Sequence, residues 1–224
     1  MCRFLLLHIP VDFDPTDVFL SFAAICSKKR GEDGEGQRDG WGMAWLQDDS
    51  WQVTRSLRPI WEDVDLLLST PRARTYALHA RSASFEKHRN HIEYNQPYVS
   101  DTTAFVFNGI LRGVHLPQHV AGNIGAQRIW NLLQQTLKSG QPQGHTATAL
   151  ATTLDLLSAH SQEIAACNIG LIDRDAIYAA SRYTRDPDYY QLRYHSSAGL
   201  RMVCSEPLAG YDFADVPLDR VIQL

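Results

Sequence analysis

Cys2 stands directly behind the initiator methionine and leads into the apolar run Phe4-Leu5-Leu6-Leu7. Removal of Met1 would leave one residue with both a thiol, of pKa about 8.5, and a free α-amine, of pKa about 7.7 to 8.0. Such a residue is a nucleophile with a built-in base near neutral pH, suited to acyl transfer. The run behind it reads as a strand that would hold this terminus in the core. Taken alone, Cys2 reads as a small hydrophobe at the head of a buried strand, so the rest of the chain has to decide between the two.

The other cysteines, Cys26, Cys167 and Cys204, are widely spaced and form no Cys-x-x-Cys pair. This argues against a zinc knuckle, a redox pair or a disulfide scaffold. His88 and His91, in Lys87-His88-Arg89-Asn90-His91, form the only histidine cluster of the sequence. Their polar surroundings read as a solvated loop in preference to a metal site. A metal-dependent hydrolase using His79, His88 and His91 is the rival that this cluster keeps open, and His79 itself reads as a core histidine at a strand end.

A chain of 224 residues with 44% hydrophobic and 21% charged content is expected to form one domain spanning residues 1–224, with a substantial core. A formal net charge of −4 supplies no basic field for nucleic acid or an anionic membrane, so a small-molecule partner is expected. No apolar run approaches the roughly 18 to 20 residues of a membrane span, and the expected location is the cytoplasm.

Periodicity supplies the elements that must position these groups. Asp12 to Pro15 reads as a turn, with Thr16 capping a helix that buries Val18, Phe19, Phe22, Ala23 and Ile25 or Cys26. Ser27 to Gly40 is charged and glycine-rich and reads as a surface loop at the rim of a pocket. It lacks the pattern of a phosphate cradle, and Glu32, Asp33 and Glu35 would repel phosphate. Gly42–Leu46 and Trp51–Ser56 suit a hairpin around Gln47 to Ser50. A helix is expected over Glu62–Ser69 and strands over Thr75–His79 and Thr102–Phe107, the second ending in an Asn108-Gly109 turn. Two helices follow, Ile124–Leu137 and Thr146–His160, joined by a loop from Ser139 to His145. Consecutive antiparallel strands are expected at Ala165–Ile172, Ala176–Tyr183, Tyr189–Tyr194 and Arg201–Ser205. Helices set between blocks of hairpins predict an α+β architecture.

Four stretches then fall into order: Met1-Cys2-Arg3, Arg38-Asp39-Gly40-Trp41-Gly42, His79-Ala80-Arg81-Ser82-Ala83-Ser84, and Asn95-Gln96-Pro97-Tyr98 followed by Phe107-Asn108-Gly109-Ile110. Together they resemble the class II glutamine amidotransferase family of N-terminal-nucleophile hydrolases, in particular its stand-alone Met-Cys-Arg members. The resemblance covers residues 1 to about 130, and Ala180-Ser181-Arg182-Tyr183 with Cys204-Ser205-Glu206-Pro207-Leu208 extends it weakly. It implies a four-layer αββα sandwich of two antiparallel sheets. It implies Cys2 as nucleophile with its α-amine as base, and Arg81 as the clamp on a substrate α-carboxylate, a task for a planar two-pronged guanidinium. Asn108 and Gly109 would form the oxyanion hole through a side-chain amide and a backbone N–H. Ser82, Trp41, Gly42 and Gly125 fall at the substrate-binding positions, Trp41 and Gly42 shaping the strand near the nucleophile. The implied reaction is hydrolysis of a glutamine or γ-glutamyl-type amide through a thioester, with no metal and no organic cofactor.

One departure bears on the substrate. Where the family carries an acidic stretch opening a helix, one aspartate of which binds the substrate's α-ammonium, this chain has Gly122-Asn123-Ile124-Gly125-Ala126-Gln127. Either another acid, such as Asp101 or Glu93, substitutes, or the substrate's amine is absent, modified or solvent-exposed. At 224 residues no fused synthase is expected within this chain. The remaining alternatives are a glutaminase that supplies ammonia to a separate synthase subunit, and a catalytically silent member that binds a ligand or partner. Association into a homo-oligomer is open.

Overall fold

The computed structural model describes residues 2–28, 36–139 and 145–224. Its strands are β1 (Arg3–His8), β2 (Trp41–Gln47), β3 (Ser50–Ser56), β4 (Thr75–Ala80), β5 (Tyr98–Val99), β6 (Thr103–Arg112), β7 (Glu163–Asp173), β8 (Ala176–Tyr183), β9 (Arg193–Ser197), β10 (Leu200–Cys204), β11 (Ala214–Asp215) and β12 (Val221–Gln223). The α-helices are α1 (Thr16–Ser27), α2 (Val64–Leu68), α3 (Gly125–Ser139), α4 (His145–Ala159) and the single turn α5 (Pro187–Tyr190). The strands form two antiparallel sheets, in the orders β11-β9-β10-β1-β4-β2-β3 and β12-β8-β7-β6-β5.

Strand alternation sorts the side chains into three apolar layers and so stacks the four layers of secondary structure. Leu5 and Leu7 of β1 face Val18, Phe19 and Phe22 of α1, whereas Phe4 and Leu6 point the other way, into the space between the sheets. On the second sheet Phe105 and Phe107 of β6 face Ile129, Leu133 and Leu150 of α3 and α4, while Ala104 and Val106 face the first sheet. The result is the αββα sandwich, with β1 central in its sheet and hydrogen-bonded to β4 on one side and β10 on the other. Phe4 through Leu7 are completely buried, each side chain contributing about 1.5–3 kcal/mol. The segment that carries Cys2 is therefore firmly anchored. Among the described residues no helix is long and apolar enough to cross a membrane.

Several local expectations need correction. The Asn108-Gly109 pair is no turn: β6 runs through it to Arg112, pairing Asn108 with Asn168 and Gly109 with Cys167. Pairing with β7 and burial override the local turn preference. Just beyond it the register shifts, Ile110 pairing with Ala166 and Leu111 with Ile164, so that Ala165 bulges out of β7. Tyr189 to Tyr194 is not a continuous strand, because Asp186 takes a left-handed conformation (φ 50°) and Pro187 opens α5, leaving β9 to begin at Arg193. Thr16 is the first residue of its helix and does not cap it; the Asp14 carboxylate accepts from its N–H at 2.9 Å. The expected Glu62–Ser69 helix is split into a 3-10 turn at Ile60–Glu62 and α2. The hairpin stands as expected, with Asp48 and Asp49 both at positive φ in a two-residue loop. Parts of the loops expected at 27–40 and 139–145, with Glu32, Asp33 and Glu35, lie outside the described residues, as does Met1.

Candidate active site

Of the four cysteines only Cys2 is not fully buried. Cys26 and Cys204 lie in the core beneath α1 and Cys167 in the core beneath α3 and α4. Burial raises the Cys26 thiol well above its usual range and pushes those of Cys167 and Cys204 up to about 12, so all three stay protonated. The Cys2 Sγ accepts a hydrogen bond from the Ser82 backbone N–H at 3.4 Å and faces the Ser82 carbonyl at 3.6 Å. Ser82 thus meets the thiol through its backbone.

Cys2 is held from its other side by Cys204-Ser205-Glu206. The Phe4 N–H donates to the Ser205 hydroxyl at 3.0 Å, and the Ser205 N–H to the Phe4 carbonyl at 3.1 Å. Arg3, only 1% exposed, donates Nε and Nη2 to Glu206 Oε1 at 2.5 Å each, reaches the Cys2 carbonyl at 3.3 Å, and stacks over the Tyr189 ring at 4.4 Å. Ser181 and Asn168 are also buried and bonded: the Ser181 hydroxyl donates to Asn168 Oδ1 at 2.8 Å, and Asn168 Nδ2 to the Tyr190 carbonyl at 2.6 Å. Of the two C-terminal motifs of the sequence, Cys204-Ser205-Glu206 thus braces the residues that follow the nucleophile, while Ser181 ties β8 to β7. The part played by Arg3 and Glu206 was missed; a buried cation demands a buried acid, and the Ser-Glu of Cys204-Ser205-Glu206 was the signal for it.

Arg81 follows β4 directly, its N–H donating to the Gly40 carbonyl at 2.8 Å. It is 5% exposed, not the exposed strand-end arginine that composition favours. Nη2 donates to the His88 carbonyl at 2.5 Å and the guanidinium lies 5.6 Å from the Tyr94 ring centroid, while the buried Nη1 has no hydrogen-bond partner among the described residues. Asp39 shapes the following loop, accepting from the Ala83 N–H at 2.7 Å and pairing with Arg89 at 3.4 Å.

Asn108 is buried on β6, on the same side of the strand as Val106, and so faces the interlayer into which β1 sends Phe4 and Leu6. Its Oδ1 has no partner among the described residues. Gly109 admits no side chain, since a Cβ there would lie 2.3 Å from the Ala166 carbonyl oxygen. Gln96 fixes this pair: its Oε1 accepts from the Phe107 N–H at 2.6 Å and its Nε2 donates to the Phe107 carbonyl at 3.1 Å and contacts His79 Nε2 at 3.2 Å. Because Gln96 Nε2 is a donor, His79 Nε2 accepts and the ring proton sits on Nδ1. Burial pushes the His79 pKa down to about 3, with the Arg81 cation adding to the effect, so the ring is neutral. Gln96 is held in turn by Arg55, which donates to the carbonyls of Asn95 at 2.6 Å and Pro97 at 2.8 Å. Gly42 leaves room for this segment, as a Cβ there would meet the Gln96 carbonyl at 2.4 Å.

These groups border a cavity of about 1070 Å³ lined by Cys2, His79, Arg81, Ser82, Gln96 and Gly109 on its inner side and by Gly125 and its neighbours on the outer side. Trp41 and Gly42 do not line it: Trp41 is in the core beneath α1, donating Nε1 to Asp63 at 3.1 Å, and both shape β2 rather than contact a ligand. Asn108 likewise is not among the lining residues and stands behind Gly109. Gly125 opens α3, and among the described residues nothing lies within 4 Å of where its Cβ would be. Neither Glu93, which pairs with His91 at 3.0 Å on the surface, nor Asp101 reaches the cavity, and among the described residues no acid lines it. The histidines of the rival metal reading are not gathered: His79 is buried between the sheets, His88 sits on the rim, and His91 stacks on Tyr94 outside it.

No family model matches the chain, and no curated protein does. Solved structures do. A glutamine aminotransferase class-II domain protein from Silicibacter pomeroyi is 19% identical, with a TM-score of 0.61 over 99% of this chain and 94% of its own. A predicted glutamine amidotransferase from Pseudomonas aeruginosa is 13% identical, with a TM-score of 0.56 over 100% and 93%. Glutamine phosphoribosylpyrophosphate amidotransferase from B. subtilis is 13% identical, with a TM-score of 0.67 over 100% of this chain but 47% of its own, so this chain spans about half of that protein. The chain has the fold of the class II glutamine amidotransferase domain, the α+β sandwich of the N-terminal-nucleophile hydrolases.

Proposed function

We propose that the chain is an amidohydrolase in which Cys2, freed by removal of Met1, attacks the γ-carboxamide of a glutamyl-type substrate. The observation that carries this reading is the convergence on one cavity of the half-buried Cys2 thiol, the Gly109 backbone and the unpartnered Nη1 of buried Arg81. The fold shared with proteins described as glutamine amidotransferases supports an amide of this class.

In this reading the α-amine takes the thiol proton and Sγ forms a bond to the amide carbon. The oxyanion is assigned to the Gly109 N–H, which lines the cavity, and by the family resemblance to the side chain of the adjacent Asn108, which is outside the lining without substrate; Gln96 contributes to their position by holding Phe107. The C–N bond breaks, the amine leaves with the proton held by the α-ammonium, and a thioester remains. Water then attacks, giving up a proton to the α-amine; the C–S bond breaks, releasing a glutamyl carboxylate and restoring the thiol. The Ser82 N–H orients the sulfur by donating a hydrogen bond to it. Arg81 binds the α-carboxylate, which would satisfy its free Nη1. Because no acid lines the cavity among the described residues, an α-ammonium there would be desolvated without a counter-charge from them, a costly arrangement.

Free glutamine should therefore be a poor substrate, and an amide with a larger leaving amine or an altered α-amine a better one. The test compares kcat/KM for glutamine, a γ-glutamyl peptide and α-N-acylated or deaminated glutamine. A tenfold preference for glutamine over the others would overturn this assignment.

A further inference from the structure

The cavity carries more positive charge than binding one α-carboxylate requires. The chain has 25 acidic residues against 21 Lys and Arg, yet among the described residues the lining contains three arginines and no acid. Arg81 is at the inner end; Arg112 and Arg128 are on the outer wall, with His115 and His119 between them in the chain. Arg112 lies three residues beyond Gly109 on β6, roughly 10 Å further along the strand. Arg128 is one turn into α3, over Gly125, and the first turn of that helix has no acidic residue to offset its partial positive charge. Arg128 Nε donates to the Gly122 carbonyl at 3.0 Å and the side chain has no ion pair among the described residues. Arg112 meets Glu163 at 3.4 Å, but both side chains are substantially exposed (65% and 40%), so that pair is weak and exchangeable. The volume, about 1070 Å³, is at the upper end for small-molecule pockets and far exceeds what a free amino acid fills.

We propose that the outer wall between the end of β6 and the start of α3 is an anion subsite, which selects γ-amides whose amine portion carries its own acidic group, in the simplest case a carboxylate. The inference rests on the hydrolytic reading for the direction of the substrate: the glutamyl carboxylate at Arg81, the scissile carbonyl between Cys2 and Gly109, and the amine portion extending towards Arg112 and Arg128. The expected selectivity is modest because both arginines are solvent-exposed. About five- to tenfold is what one or two such pairs supply at low ionic strength, shrinking as salt screens them.

The test measures calorimetrically the binding of γ-glutamylglycine and its neutral counterpart γ-glutamylglycinamide to the Cys2→Ala protein. The acid should bind about five- to tenfold tighter at low salt. Arg112→Gln together with Arg128→Gln should abolish the preference and leave binding of the glycinamide unchanged. Equal binding of the two ligands, or a preference that survives both substitutions, would overturn the subsite. Turnover of the same compounds by the wild-type protein is scored separately. Charge-selective binding without hydrolysis would leave the subsite standing and remove the hydrolytic assignment.

Discussion

Gln96 holds Phe107 by both ends of its carboxamide, accepting from the Phe107 N–H at 2.6 Å and donating to its carbonyl at 3.1 Å. It thereby acts as a one-residue extension of β5 and fixes the peptide that leads into Asn108. Gln96→Leu should strand both backbone groups and His79 Nε2 and let that peptide drift. A displacement of about 1 Å can cost two orders of magnitude in turnover. The expected result is a kcat reduced about a hundredfold, approaching the two to three orders expected for Asn108→Ala, with KM little changed. A Gln96→Leu enzyme that keeps its turnover number would contradict the positioning role.

The buried Arg3–Glu206 pair should be the most sensitive point of the N-terminal strand. Removing one member leaves the other charged and desolvated, at a cost of about 3 to 5 kcal/mol. Glu206→Leu is therefore expected to lower the urea midpoint strongly, and Arg3→Met combined with Glu206→Leu to recover much of the loss. Additive losses in the double variant would show that the pair is not coupled.

Gly125 offers open space at the position where the fold's glutamine-directed relatives are expected to place an acid. Gly125→Asp should raise kcat/KM for free glutamine by about tenfold or more, since the new carboxylate supplies an ammonium partner next to an otherwise cationic wall. The same substitution should weaken binding of the α-deaminated compound. No gain with glutamine would place the ammonium elsewhere.

Acid should destabilise the protein through its buried histidines. His79, pushed down to about 3, and His8, pushed down to about 4, both from 6.5, take up protons on unfolding between these values. Stability is therefore full above about pH 6.5 and falls as the pH drops towards 4, by up to about 1.4 kcal/mol per pH unit for each proton. Chemical denaturation from pH 7 to 4 should show this loss, and His79→Gln should flatten the slope. An unchanged slope in the variant would mean that His79 is not held neutral.

Much of the layering was legible in the sequence, because Leu5 and Leu7 alternate with Phe4 and Leu6, and α3 repeats its apolar residues at helical spacing. The hairpin around Asp48 and Asp49 was legible from local turn chemistry alone. Asn108-Gly109 misled for the converse reason: a dipeptide that favours a turn in isolation is held extended by its pairing with Asn168 and Cys167 of β7, and only that long-range pairing reveals it. The roles of Gln96 and Glu206 depend on contacts 11 and 203 residues away, which no local spacing encodes. Trp41, singled out by its glycine-flanked motif, owes its place to core packing and its bond to Asp63.

The central claim is that Cys2 is the nucleophile. Intact mass should first show Met1 removed. Incubation with a glutamine-like electrophile such as diazo-oxo-norleucine, followed by peptide mapping, should then place one adduct on Cys2 and none on Cys26, Cys167 or Cys204, which are buried and protonated. An adduct on any of those three with Cys2 untouched, or a retained Met1 in a protein that turns over γ-glutamyl amides, would contradict the account.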